Sequence, residues 1–153
     1  MTFDTQAGTH GARQPRAGLM MQWVNKMAAG RIRRSGKMMG LSALMLTTVG
    51  AKSGAQRTNP VGWFPGGDDS WLIVASAGGA PRNPAWYHNL AAHPDQVRIE
   101  VKGQTIPVRA QQLHGSERDQ AWQEIIASSP RFAGYQSKTD RQLPVIRLVR
   151  QSG

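Results

Sequence analysis

Two cations, Lys52 and Arg57, stand among glycines and hydroxyls in the stretch TTVGAKSGAQRTNP at residues 47–60. Apolar, strand-like sequence (LSALML) leads into it, and VGWF follows. Lys52, Ser53, Arg57 and free backbone N–H groups in such a loop can bind an anion, because glycines let successive amides converge on one point. The same composition also describes a glycine-rich hairpin whose cations stay in water, and the residues alone leave both readings open. A Walker loop is excluded, since it needs glycine directly before the lysine and Ala51 stands there.

A second loop, AGGAPRNP at 77–84, precedes Trp86 and Tyr87. Those aromatics can stack on a planar ring or simply anchor a helix in the core. Tyr135, within FAGYQSKTDR, reads as a loop tyrosine among charged and hydroxyl residues. The remaining chemistry is sparse. His88 and His93 are five apart and do not share a helix face, so no metal site is expected. No G-x-S-x-G elbow favours a serine nucleophile, and the nine carboxylates are scattered. Cysteine is absent, which removes disulfides, thiol nucleophiles and cysteine metal ligands and suits a reducing cytoplasm.

These loops need a scaffold, and the sequence describes one domain of mostly β structure with flanking helices. Residues 1–18 read as a flexible arm and 19–37 as a basic amphipathic helix, with Met20, Trp23, Val24, Met27 and Ala28 at helical spacing. Four cations in RIRRSGK end that helix. It can pack on its own domain or lie on an anionic membrane. From 38 to 153 the chain alternates strands at 41–49, 58–64 and 70–76, a helix from Pro84, and a hairpin turning at Lys102–Gly103. A helix follows, with Ser116 and Asp119 as a capping-box pair, and a last strand spans 143–149. No βαβ alternation occurs, so a small antiparallel barrel fits better than a Rossmann fold.

Nineteen Lys and Arg against nine Asp and Glu give a formal charge of +10, which attracts anions: nucleic acid, an anionic membrane or a small acidic molecule. Residues 1–18 lack the apolar core of a signal peptide. The longest apolar-leaning run, 38–49, falls short of the roughly 20 residues of a membrane span. A cytoplasmic protein is expected, with peripheral contact at the inner face of the cell membrane through the basic helix.

Together, LTTVGAKSGAQRTNP, VASAGGAPRNPAWYHNL followed by HP, and YQSKTDRQLPVIRL resemble the deazaflavin-dependent nitroreductase and quinone reductase family in order and interval. The resemblance spans about residues 40–149. It implies a split β-barrel of the FMN-binding kind that uses the reduced deazaflavin coenzyme F420 as hydride donor to quinones or nitroaromatics. It further implies that the coenzyme's phosphate and acidic tail lie along Lys52, Ser53 and Arg57. The ring would rest near Pro60, Ala75, Ser76, Gly78, Gly79 and Trp86, with Asn89 on the bordering helix. Tyr135 would supply or orient a proton and Ser76 would orient the ring. An acceptor would then fit beside Trp63, Trp86 and Phe132. No nucleic-acid partner is expected, and the oligomeric state is left open.

Three positions depart from the family pattern. Ala51 and Ala77 replace cations found in many members, giving ASAGG for ASKGG, and Arg82 on the same loop can restore part of the charge. Phe132 lacks the hydroxyl common in members that act on nitro compounds. Two alternatives follow. One is the same barrel binding FMN, haem or a lipid. The other is a non-enzymatic basic protein that contacts membranes or nucleic acid through residues 13–37.

Overall fold

The computed structural model describes residues 3–12, 29–32, 34–38 and 41–151. The chain order is β1 (Lys37–Met38), β2 (Leu41–Val49), β3 (Gln56–Gly62), β4 (Phe64–Pro65) and β5 (Ser70–Val74). A 3-10 turn (Ala77–Gly79) and α1 (Ala85–Ala92) come next, then β6 (Val97–Val101), β7 (Gln104–Gln112), α2 (Gly115–Ser128), α3 (Arg131–Ser137) and β8 (Val145–Arg150). Every strand pairing is antiparallel. The sheet runs β1-β2-β6-β7-β8-β5-β4, and β3 joins it on β2.

Period-two sequence builds the inner face. Val97, Ile99 and Val101 of β6 and Ile106, Val108 and Ala110 of β7 point into one core while Arg98 and Arg109 point out. Leu44, Leu46, Ile73, Ile146 and Leu148 complete it, and α1 adds Tyr87 and Leu90. The hairpin between β6 and β7 turns at Lys102 (φ 50°) and Gly103 (φ 77°). Positive φ at both turn residues gives the strand twist a two-residue hairpin needs.

The outer face is covered in two places. Leu72 and Val74 of β5 and Val145 of β8 pack under Ala121, Trp122 and Ile125 of α2 and Phe132 of α3. On β2, whose apolar run is continuous, Ala43 and Met45 meet Ala29 and Ile32. Residues 29–32 and 34–35 are helical, so the end of the expected basic helix packs on its own domain. The rest of that helix up to Ser35, residues 19–28 and Arg33, lies outside the described residues, as do residues 13–18 of the expected arm, and Lys37 belongs to β1 instead. Among the described residues no helix is long and apolar enough to cross a membrane.

Three local expectations change. Tyr135 sits in α3 rather than in a loop. The cap of α2 is His114, without a side-chain cap bond, so Ser116 lies inside the helix. Residues 3–12, read from sequence as part of an arm, are hydrogen-bonded to the domain: Gly8 N–H donates to Pro81 O (2.6 Å) and Ala12 N–H to Gly79 O (2.9 Å).

Candidate functional site

The first glycine motif closes the hairpin between β2 and β3, whose register brings Val49 opposite Gln56. Within the loop, Gly50 N–H donates to Ala55 O (2.8 Å) and Gly54 N–H to Gly50 O (2.9 Å). Ser53 Oγ accepts from Ala55 N–H (3.1 Å), so this hydroxyl shapes the loop as well as facing the cavity. Pro60 lies on β3, opposite Met45. Its missing N–H is tolerated because β3 is an edge strand, paired with β2 alone among the described residues.

Helix α1 seals one side of the loop. Asn89 is buried, and its Oδ1 accepts from Ala51 N–H at 2.9 Å while its Nδ2 donates to Thr48 Oγ1 at 3.0 Å. Its role here is to hold the loop, since both ends of the amide are already engaged. Between loop and helix opens a cavity of about 430 Å³ lined by Lys52, Ser53, Arg57 and Asn59 on one side and Trp86 and His88 on the other. Gly50, Ala51, Ala85 and Asn89 complete the lining, which contains no carboxylate. Among the described residues no acid pairs with Lys52 or Arg57. A partly apolar cleft with two unneutralised cations suits an anionic ligand that also carries a ring.

The second glycine motif forms a left-handed turn. Ala77, Gly78 and Gly79 have φ of 48°, 64° and 86°, a conformation that costs a residue with a Cβ about 1–2 kcal/mol. Gly79 is doubly constrained, because a Cβ there would lie 2.5 Å from Tyr135 O. Tyr135 therefore stands directly beside the loop. Its ring is edge-on to Phe132 (centroids 5.4 Å apart), and Lys138 Nζ lies 5.9 Å from its centroid.

Arg141 fixes this loop from beneath. It is 2% exposed. Its Nη1 donates to Ala75 O (2.8 Å) and Asn83 Oδ1 (2.6 Å), its Nη2 to Ser76 O (2.8 Å) and Ala80 O (3.0 Å), and its Nε to Ala80 O (3.2 Å). Burial pulls its pKa below the usual arginine value, and no carboxylate among the described residues pairs with it.

The sequence-assigned residues thus form two groups. Lys52, Ser53, Arg57, Trp86 and Asn89 share the cavity. Ala75, Ser76, Gly78 and Gly79 gather over Arg141, with Tyr135 alongside. Pro60 does not line the cavity, although its neighbour Asn59 does. Phe132, expected beside an acceptor, is instead a core residue, 7% exposed and edge-on to Phe64 at 5.5 Å. Sequence reasoning missed Asn59, His88 and Arg141. Helical spacing was a usable signal for His88: 85 and 88, like 86 and 89, share a helix face. Nothing local distinguished Arg141 from any exposed arginine.

A curled antiparallel sheet with flanking helices and an anion-ready cleft at a strand–loop–helix junction defines a split-barrel ligand-binding protein. The family model described as F420H(2)-dependent quinone reductase matches residues 20–150. The chain belongs to that family. It is 39% identical over 111 residues to an F420H(2)-dependent quinone reductase of Mycobacterium tuberculosis, covering 71% of this chain and 74% of that one. Among solved structures it is similar to an F420-H2 dependent reductase, with TM-score 0.62, 36% identity, and coverage of 69% of this chain and 92% of that one. Campylobacter jejuni ChuZ shares the fold alone, at TM-score 0.54 and 13% identity over 91% of this chain and 55% of that one. The chain is accordingly an oxidoreductase that uses reduced F420.

Proposed function

We propose that this protein passes a hydride from the reduced deazaflavin to a quinone, with the coenzyme's phosphate and acidic tail against Lys52 and Arg57 and its ring toward Ser76, Gly78, Gly79 and Tyr135. The observation that carries this reading is the pair of cations that have no acidic partner among the described residues and face a cavity whose described lining has no carboxylate. The residues present suit the group: cations for the anionic end, and small left-handed backbone plus Trp86 for a flat ring.

The coenzyme supplies the hydride, and the protein supplies binding, orientation and exclusion of water. Asn89 sets the cation loop by holding Ala51 N–H. Arg141 sets the backbone at Ala75 and Ser76. Tyr135 is partly exposed beside the second glycine loop, and its hydroxyl orients an acceptor oxygen or passes it a proton. Trp63 and Trp86 are partly buried against the core and offer apolar surface to a flat acceptor. The basic segment at 31–37 brings the enzyme to a membrane surface where an apolar quinone is dissolved. Replacing the exposed Arg31 and Arg34 by glutamine then weakens binding to anionic vesicles, and unchanged binding would contradict this contact.

The test is the oxidation of reduced F420 by a menaquinone analogue, followed by the coenzyme's absorbance, beside a matched nitroaromatic. Quinone-dependent turnover that exceeds the nitroaromatic rate fits the reading. Absence of turnover with any quinone would contradict it.

A further inference from the structure

The N-terminal segment 3–12 and the second glycine loop are joined by a closed set of hydrogen bonds. Thr5 is its hub. Thr5 N–H donates to Tyr87 Oη (3.0 Å), Thr5 O accepts from Asn83 Nδ2 (2.9 Å), and Thr5 Oγ1 accepts from Gln112 Nε2 (2.8 Å). Tyr87 O–H donates to Gln112 Oε1 at 2.6 Å, and Asn83 Oδ1 accepts from Arg141 Nη1 at 2.6 Å. From Arg141 the network reaches the carbonyls of Ala75, Ser76 and Ala80. Asn83, Tyr87, Gln112 and Arg141 are all buried polar side chains. Asn83 and Gln112 each use the segment to satisfy one end of the amide, and a buried polar group left unpaired is costly.

Packing adds a second, independent tie. Phe3 sits edge-on to Tyr87, centroids 5.4 Å apart. Thr9 donates twice to Asp140, from N–H (2.8 Å) and Oγ1 (2.6 Å). At Gly11 the backbones approach so closely that a Cβ would lie 2.4 Å from Gly79 O and 2.7 Å from Pro81 N. The segment therefore lies along the outside of the loop that Arg141 holds from within.

We propose that residues 3–12 are a strap that sets the second glycine loop, and that Thr5, Asn83 and Arg141 are positioning residues acting on the coenzyme through the backbone at 75–80. The structural half stands on the contacts above; the coenzyme half rests on the reading given under Proposed function. Removing the strap opens the amides of Asn83 and Gln112 to water and frees the turn at Ala77–Gly79. The cation loop at 50–55 is tied separately, by Asn89, and does not follow.

The experiment compares the unsubstituted chain with Gly11→Val, which drives the strap off its seat, and Thr5→Val, which keeps the side-chain shape and removes the acceptor for Gln112. Amide hydrogen exchange is read at 75–83 and at 50–55, and F420 affinity is read by fluorescence titration. Both variants are expected to speed exchange at 75–83 by about 10-fold, the scale of one lost hydrogen bond, and to weaken F420 binding severalfold, with 50–55 unchanged. Unchanged exchange at 75–83 in both variants overturns the strap. Faster exchange with unchanged F420 affinity overturns its coupling to the coenzyme. Failure of the unsubstituted chain to bind F420 contradicts the reading under Proposed function, while the exchange measurement still decides the strap.

Discussion

Asn89, on the helix that follows the second glycine motif, accepts the backbone N–H of Ala51 in the first motif at 2.9 Å. One amide therefore couples two sequence signatures 38 residues apart and sets the angle at which the loop carrying Lys52 meets α1. The coupling is specific because Thr48 engages the other end of the same amide. Asn89→Ala removes the hydrogen bonds to Ala51 and Thr48, each worth about 0.5–1.5 kcal/mol net. Thermal unfolding should register that loss, and the F420 dissociation constant should rise while Lys52 and Arg57 remain in place.

Arg141 satisfies three carbonyls and one side-chain amide from a buried position. Arg141→Met strands those acceptors, each at about 1–3 kcal/mol, and should destabilise the protein by roughly 3 kcal/mol or more. Arg141→Lys carries the same charge but too few donors in the wrong geometry, so it should recover little of that loss. Full recovery in denaturant unfolding would show that charge, not the planar fork, holds the loop.

Asp140 gives the strap an acid dependence. Hydrogen bonds from the Thr9 hydroxyl and Thr9 N–H hold its carboxyl down at about 2, below the ordinary 3.8. A depressed carboxylate contributes fully above its unfolded value and loses that contribution as pH falls through its folded value. Protection of the Thr9 and His10 amides should accordingly fall between pH 4 and pH 2, on the order of these two pKa values. Asp140→Asn should flatten that dependence.

Tyr135 stands beside the Gly79 backbone with its ring packed on Phe132. Tyr135→Phe preserves that packing and removes only the hydroxyl. Turnover with a quinone should drop by about 100-fold, the low end for a lost positioned proton donor. Stability and F420 affinity should stay level. Unchanged turnover would take Tyr135 out of the chemistry.

The strands were legible because β6 and β7 alternate strictly and because Lys102–Gly103 can only be a tight turn. The cation cavity was legible because Lys52 and Arg57 are close in sequence and lie on one hairpin. Long-range ties were not. Arg141 and Asn83 are 58 residues apart and Thr5 and Gln112 are 107 apart, distances over which no local period carries information. Residues 3–12 misled for a related reason. A polar, glycine-rich stretch resembles a free arm until a partner surface satisfies its backbone, and Gly8 and Gly11 are there because the loop and Asp140 come so close. Phe132 misled in the opposite sense, since its apolar ring serves the helix packing of α3 rather than a ligand.

The central claim is that the hairpin cations receive the coenzyme's anionic end. It is tested most directly by titrating oxidised F420 into the wild-type protein and into Lys52→Ala combined with Arg57→Ala, with FMN as a matched ligand. Both residues are exposed, Lys52 on the loop and Arg57 at the start of β3, so the double variant should keep its melting temperature. Loss of two charge-assisted contacts, each worth about 1.5–3 kcal/mol, should raise the F420 dissociation constant by roughly 100-fold or more, with FMN bound weakly throughout. An F420 affinity equal to wild type in a folded double variant would contradict the account.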